Sequence, residues 1–304
     1  MKILVTGGAG FIGSHLVDKL IANHHHVIVV DDLSTGKKGN LNREAKFYNL
    51  NIQDKKIANI FKKEKPVVVY HLAAQMNVRK SITDPIFDAN NNIIGSINLL
   101  ENCIKHKVKK FVFISTGGAI YGDTVKLPTP EDSLASPISP YGIAKLSIEK
   151  YLHYYFRQYK LPYTVLRLAN IYGPRQDSQG EAGVVAIFCN NLKNKKTLKI
   201  FGGKQTRDFV YVADVVNAAL KCLSRNIQGI YNIGTAKQTN INTLAKKLIN
   251  ISKNKVPVKH SSPIKGEQLK SCLSSAKIKK ELNWQPEYSL NQGLKETWQY
   301  FNEK

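Results

Sequence analysis

The sequence predicts an α/β protein, a Rossmann-type doubly wound parallel sheet with a smaller C-terminal α/β lobe. Two observations predict it. Short, continuously apolar runs alternate with stretches of helical spacing through the first half of the chain, and a glycine-rich turn joins the first run to the first helix. Strands buried on both faces show no polar alternation, so Ile3-Leu4-Val5 and Val27-Ile28-Val29-Val30 read as central parallel strands.

Taken in order, residues 2–6 form the first strand, and Phe11 to Ile21 forms the first helix. His24-His25-His26 reads as a polar turn before the second strand; consecutive side chains diverge and make no closed ligand cage, so no metal site is expected. Val67-Val68-Val69-Tyr70 and Phe111-Val112-Phe113-Ile114 are further strands, and Asn92 to Ile104 carries helical spacing. A helix bearing Tyr141 and Lys145 precedes a strand within Leu161–Leu168. Beyond about residue 174 the pattern is irregular, with helical pieces at 184–194 and 240–252, while Asp208 to Leu223 returns to the sheet. The expected division is a sheet domain of 1–173 plus about 206–235, and a lobe of 174–205 and 236–304.

The chain has 304 residues, 42% of them hydrophobic, enough for a sizeable core. No apolar stretch approaches the roughly 18 residues a membrane span needs. Lys2–Thr6 is too short for a signal peptide. Cys103, Cys189, Cys222 and Cys272 are widely spaced and form no Cys-x-x-Cys, which suits reduced thiols in the cytoplasm. The net charge of +23 raises nucleic-acid binding. The charge is mostly lysine spread along the chain, so a solvated surface is the expectation and no specific nucleic acid; the field can still steer an anionic substrate.

Gly7, Gly10 and Gly13 punctuate the turn between the first strand and the first helix, with Phe11 and Ile12 opening the helix. Glycines there allow a tight turn and close backbone approach to a diphosphate, with a helix N-terminus facing the anion. Asp31, followed by Asp32, ends the second strand about 20 residues on, where a carboxylate accepts bonds from an adenosine ribose and repels a 2′-phosphate. With no arginine close behind, NAD is favoured over NADP. Plain turn chemistry is the alternative for the two aspartates.

Tyr141 and Lys145 stand four apart, one helical turn on one face. A nearby ammonium is expected to lower the phenol's pKa and fit it to take a proton from a sugar hydroxyl. Thr116 follows the strand Phe111–Ile114 at the carboxyl edge of the sheet, where ligands bind in such folds. Its hydroxyl can bond the same substrate hydroxyl, although Ser115 and Thr116 also suit simple strand-end capping.

With these residues go His71-Leu72-Ala73-Ala74-Gln75, Ser115-Thr116-Gly117-Gly118-Ala119-Ile120-Tyr121-Gly122, Ser139-Pro140-Tyr141 and Gln205-Thr206-Arg207-Asp208-Phe209-Val210-Tyr211-Val212. Over nearly its whole length the chain resembles the extended short-chain dehydrogenase/reductases, and within them the UDP-glucose (UDP-galactose) 4-epimerases. The resemblance implies NAD held by Gly7, Gly10, Phe11, Ile12, Gly13, Asp31, Asp32, Asn51, Ile52, Leu72, Ala73, Ala74, Gln75, Asn92, Ser115, Tyr141 and Lys145. It implies that Tyr141 takes the 4-hydroxyl proton, Lys145 holds Tyr141 and the nicotinamide ribose, and Thr116 bonds the same hydroxyl. For the UDP-sugar it implies Asn170, Val184, Asn191, Arg207, Glu267 and Ser271, with a local ion pair to Asp208 as the alternative for Arg207. A homodimer through helices that include the one bearing Tyr141 is a further implication.

The chain departs from the family pattern in places. Asn51 replaces a usual Asp beside the adenine but keeps an acceptor oxygen. Ile264-Lys265-Gly266-Glu267 lacks the usual arginine, and Ser274 stands where an Asp is usual. Related dehydratases carry an acid soon after the catalytic threonine; here Gly117-Gly118 stand there, which favours epimerisation over dehydration or decarboxylation. Ser115 could take the role given to Thr116. Small Ser271 leaves room for a 2-acetamido group, so the N-acetyl sugars are expected beside UDP-glucose and UDP-galactose. A non-catalytic Rossmann protein binding RNA is the reading from a different class, against which Tyr141 and Lys145 are both intact.

Overall fold

The computed structural model describes residues 1–122, 126–179, 183–224, 226–263 and 268–303. The first half runs β1 (Lys2–Thr6), α1 (Phe11–Ala22), β2 (His26–Asp31), β3 (Lys46–Asn49), α2 (Ile57–Glu64), β4 (Val68–His71), α3 (Val78–Thr83), α4 (Pro85–Ala89), α5 (Gly95–Lys105), β5 (Lys110–Thr116), α6 (Gly117–Ile120), α7 (Pro140–Tyr159) and β6 (Tyr163–Leu168). The second half runs β7 (Asn170–Tyr172), α8 (Val184–Lys193), β8 (Leu198–Phe201), β9 (Thr206–Arg207), β10 (Phe209–Tyr211), α9 (Val212–Lys221), β11 (Gly229–Ile233), β12 (Thr239–Asn240), α10 (Ile241–Ser252), β13 (Val258–Ser261), α11 (Ala276–Leu282) and α12 (Leu290–Glu303).

A seven-stranded sheet of order β11-β6-β5-β4-β1-β2-β3, parallel throughout, confirms the α/β class. The strand order reverses between β1 and β4, which opens a crevice at their carboxyl ends. Successive side chains feed opposite faces. Ile3, Val5, Val29, Tyr70, Val112 and Leu166 pack with Leu16, Val17 and Leu20 of α1 and Val215 and Ala219 of α9. Leu4, Ile28, Val69, Phe111, Phe113 and Val165 pack with Phe61 of α2, Leu99 of α5 and Ile148 and Leu152 of α7. A third cluster joins Val185 and Phe188 of α8, Leu198 of β8, Leu244 of α10 and Leu294 of α12.

Several boundaries differ from the sequence reading. The edge strands β3 and β11 were not read from the sequence, because their runs are short and mixed in polarity. Strand β5 continues through Thr116, so this residue ends the strand rather than following it. The helix read from Asn92 begins at Pro85, where the Asp84 carboxylate accepts from Phe87 N–H at 3.1 Å and proline occupies the first turn. Between α4 and α5 the chain makes a π-helical turn, Asn90–Ile94. Segment α11 lies in the range assigned to the second lobe, yet its Ile278, and Trp284 just beyond it, join the sheet core. His24 occupies a left-handed turn conformation, and His26 already begins β2.

Candidate active site

The N-terminus of α1 points at the crevice. Its N-cap residue, Gly10, offers no side-chain cap, and no acid stands in the first turn, so the helix end is suited to an anion. Gly7 has φ +71°, and a Cβ there would lie 2.6 Å from Ala73 N. A Cβ on Gly13 would lie 2.1 Å from Gly7 O, so the turn and helix close only with glycine at both places. Phe11 and Ile12 pack against the core of the second lobe, which brings that lobe to the same helix end.

Asp31 is buried at the end of β2; its carboxylate accepts from Ala9 N–H and Leu33 N–H, each at 2.9 Å. Burial raises its pKa against the pull of those two bonds. Asp32 is exposed and accepts from Ser34 and, at 2.7 Å, from Asn51 Nδ2. Burial opposes its charge, but the Ser34 and Asn51 bonds outweigh it and hold the carboxyl below its usual range. Asparagine at 51 thus turns what would be an encounter of two carboxylates into a hydrogen bond. Its oxygen accepts from Gln53 N–H at 2.8 Å, and Ile52 is buried beside Gly95. This donor and acceptor set fits a dinucleotide: glycine backbone at the diphosphate, Asp31 near a ribose.

After β4, the backbone is tied down at both ends. Leu72 N–H donates to Thr6 O and Ala73 N–H to Thr6 Oγ1, each at 3.2 Å. Gln75 N–H donates to Asn92 Oδ1 at 2.9 Å, and Asn92 Nδ2 returns to Gln75 O at 2.9 Å. Ala74 is half-buried between these ties. Asn92 therefore clamps the loop from the π-helical turn. Beneath it, buried His71 lies 2.8 Å from both Thr6 Oγ1 and Ser96 Oγ. Because Ser96 donates to Asn92 O, the ring proton belongs on Nε2. Burial, then Lys145, lowers the His71 pKa to about 3, so the ring stays neutral.

Ser139 starts α7 by accepting from Gly142 N–H at 3.2 Å, with Pro140 in the first turn. Gly142 lets α7 approach α6, for a Cβ there would lie 2.4 Å from Ala119 O. Tyr141 and Lys145 are consequently held beside the end of β5. Lys145 is buried; its Nζ donates to Ile114 O at 3.0 Å and lies 4.8 Å from the Phe113 ring centroid and 5.8 Å from that of Tyr141. Burial lowers the Lys145 pKa to about 8, against the pull of Asp88 and Glu149. The tyrosine differs from expectation: burial, then the Asp88 charge, raises its pKa. The ammonium sits over the ring, its contact spent on a backbone carbonyl.

The two hydroxyls at the end of β5 face different surroundings. Ser115 is buried and donates to Glu149 Oε1 at 2.7 Å. Glu149 pairs with Arg167, Nη2 to Oε2 at 2.6 Å, and Arg167 Nη1 donates to Tyr121 Oη at 2.7 Å, which donates to Asn232 Oδ1 at 2.9 Å. Thr116 is only half-buried. Sequence reasoning missed this network. Its signals were Glu149 one turn beyond Lys145 on α7, and an arginine inside the otherwise apolar strand Tyr163–Leu168.

The residues expected at the substrate lie across the cleft. Asn170 begins β7 and donates its N–H to Asp208 O at 2.9 Å. Val184 opens α8, while Asn191 lies farther along it and donates to Thr197 O at 3.4 Å. Arg207 is half-buried on β9 and donates to Thr206 O at 2.9 Å. Asp208 beside it is fully buried and accepts from Thr235 and Leu273. Ser271 is buried, with its N–H on Thr206 O at 3.1 Å. Ser274 accepts from Ala276 N–H at 3.4 Å and so helps start α11. Glu267, with Ile264–Gly266, lies outside the described residues. Among the described residues no group of three His, Cys, Asp or Glu could hold a metal ion, and no helix is long and apolar enough to cross a membrane.

Residues 3–234 match the family described as NAD dependent epimerase/dehydratase. A putative UDP-glucose 4-epimerase of Methanocaldococcus jannaschii is 44% identical over 298 residues, covering 96% of each chain. The crystal structure of a Thermotoga maritima UDP-glucose 4-epimerase with UDP-glucose superposes with a TM-score of 0.96 at 54% identity, over 100% of this chain and 99% of that one. That of a Thermus thermophilus UDP-glucose 4-epimerase in complex with NAD gives 0.94 at 39% identity, over 99% of both. With a glycine cradle at the switch point of the sheet and Tyr141 and Lys145 on one turn beside the end of β5, the chain belongs to the NAD dependent epimerase/dehydratase family.

Proposed function

We propose that the protein inverts C4 of a UDP-hexose, interconverting UDP-glucose and UDP-galactose, with NAD as its resident cofactor. The observation that carries this reading is the grouping of Tyr141, Lys145 and Thr116 at the carboxyl end of a parallel sheet, with Gly117 and Gly118 rather than an acid directly after Thr116. Bound NAD would supply the redox chemistry, accepting a hydride from the sugar and returning it. Tyr141 takes the proton of the 4-hydroxyl and gives it back. Thr116 orients that hydroxyl, and the Lys145 cation favours the phenolate once the site is filled. Asn170, Val184, Asn191, Arg207, Glu267 and Ser271 bind the nucleotide sugar, Arg207 as a planar charged partner of the diphosphate.

The absence of an acid has a steric basis at one position. A Cβ on Gly117 would lie 2.4 Å from Leu273 Cδ1, and Leu273 is buried. Residue 118 has open space, its nearest neighbour Thr116 Oγ1 at 3.9 Å, yet it too is glycine. Neither position 117 nor 118 supplies the general acid a dehydration needs. We assign NAD to residues 1–173 and about 206–235, and the sugar nucleotide to 174–205 and 236–304, with α11 serving the sheet. The exposed stripe Ile143, Tyr151 and Tyr154 on α7 supports a homodimer through this helix. Four free, buried cysteines suit a reducing, cytoplasmic setting.

The test is incubation with UDP-glucose and, separately, UDP-galactose, following both sugars by NMR. Tyr141→Phe should lower the rate by about 10²–10⁴-fold while NAD stays bound. A variant as active as the parent refutes the role of Tyr141.

A further inference from the structure

Asp88, the fourth residue of α4, carries a carboxylate with no assigned work. It is 1% exposed. Oδ1 accepts from Gln75 Nε2 at 2.8 Å and from Asn92 Nδ2 at 3.0 Å, whereas Oδ2 is buried with no hydrogen-bond partner among the described residues. An unsatisfied carboxylate oxygen is costly, and a fold keeps one where it is used. The carboxylate lies where α4 and the π-helical turn pack on α7, the helix of Tyr141 and Lys145. The bonds from Gln75 and Asn92 fix its position from two elements.

We propose that Asp88 is a positioning residue for the Tyr141–Lys145 pair, a fixed anion behind it that sets the pH range in which the pair works. The inference rests on the epimerase reading. Its physics is that of one negative charge on two groups. It opposes ionisation of the phenol, and it favours the ammonium. The described elements packed around it carry other charged groups. Lys80 and Asp84 of the α3–α4 region pair with each other at 3.4 Å on the surface, and Arg79 of α3 is exposed. Glu101 of α5 accepts from Tyr155. On the sheet side, His71 is neutral, and Glu149 of α7 pairs with Arg167. Burial pushes the Asp88 carboxyl upward, which the bonds from Gln75 and Asn92 and the Lys145 charge oppose.

The sign of the consequence is fixed. The rate rises with pH as Tyr141 ionises and falls as Lys145 loses its proton. Removing the Asp88 charge makes the phenolate easier to form and the ammonium easier to lose, so both limbs move toward acid. The test uses NAD-loaded Asp88→Asn, which keeps the size and an acceptor for Gln75. Both limbs of its kcat profile should move down by about one pH unit, a tenfold gain on the acid flank relative to its own maximum. The phenolate absorbance lost on adding Tyr141→Phe should appear at correspondingly lower pH, with no substrate present. Asp88→Glu should restore the parental profile. Where Asp88→Asn does not fold, Asp88→Ser also removes the charge and serves the same two measurements. A lowered kcat with both limbs and the phenolate titration unmoved overturns the proposal. A parent inactive on UDP-hexoses overturns the epimerase reading instead, while the absorbance titration still decides the role of Asp88.

Discussion

At the scale of single residues, two adjacent hydroxyls meet different surroundings. Ser115 and Thr116 alternate along β5; the first is drawn into the Glu149–Arg167 layer and the second is left half-exposed at the strand end. Thr116→Ala should therefore lower kcat about 10²-fold with little change in stability. Ser115→Ala should do the reverse, costing about 1.5–3 kcal/mol for a lost bond to a charged group, read by urea unfolding, with kcat largely kept. Equal kinetic losses in both would contradict this division. That Tyr141 and Lys145 share a helix face was legible from their spacing, because a helix puts i and i+4 together whatever surrounds them. Their protonation was not. Spacing gives the ammonium's proximity to the ring, but burial and the charge of Asp88, brought in from another helix, decide the phenol. The burial of Ser115 against Glu149 likewise needed Arg167, which is remote in sequence.

At the scale of elements, β5, β6 and α7 are locked by one buried ion pair. Arg167 is 4% exposed and Glu149 3%, and Ser115 and Tyr121 complete their bonding. Glu149→Ala should cost about 3–5 kcal/mol in urea unfolding, because it leaves a guanidinium buried without its counter-charge. Glu149→Met with Arg167→Met should recover much of that loss. A single variant that costs less than about 1 kcal/mol would show that the pair is not what holds these elements. Central strands were legible because both faces are apolar. The edge strands β3 and β11 were not: Lys46–Asn49 is half-exposed, and Gly229–Ile233 has polar and glycine positions that only its neighbour β6 explains. The early start of the helix before Asn92 was written in Asp84-Pro85, a cap and first-turn pair that reads as a helix start once noticed.

At the scale of the whole molecule, the sheet carries the glycine turn and the helix of Tyr141 and Lys145, and residues of the second half join them through specific contacts. Phe11 and Ile12 join the lobe's core, His15 lies 2.9 Å from Pro174 O, Arg175 pairs with Asp18 at 2.7 Å, and the segment after Gln268 crosses from Thr206 to Thr129. Those joints are unreadable in sequence, since each links residues far apart in the chain. The central claim, that hydride leaves and returns to the same carbon while the proton passes through Tyr141, concerns this assembled site. Its most direct test is turnover of UDP-glucose in heavy water, followed by NMR. The account predicts UDP-galactose carrying protium, not deuterium, at C4, in equilibrium with UDP-glucose. Deuterium at C4, or conversion to a 4-keto-6-deoxy product in place of the epimer, would contradict it.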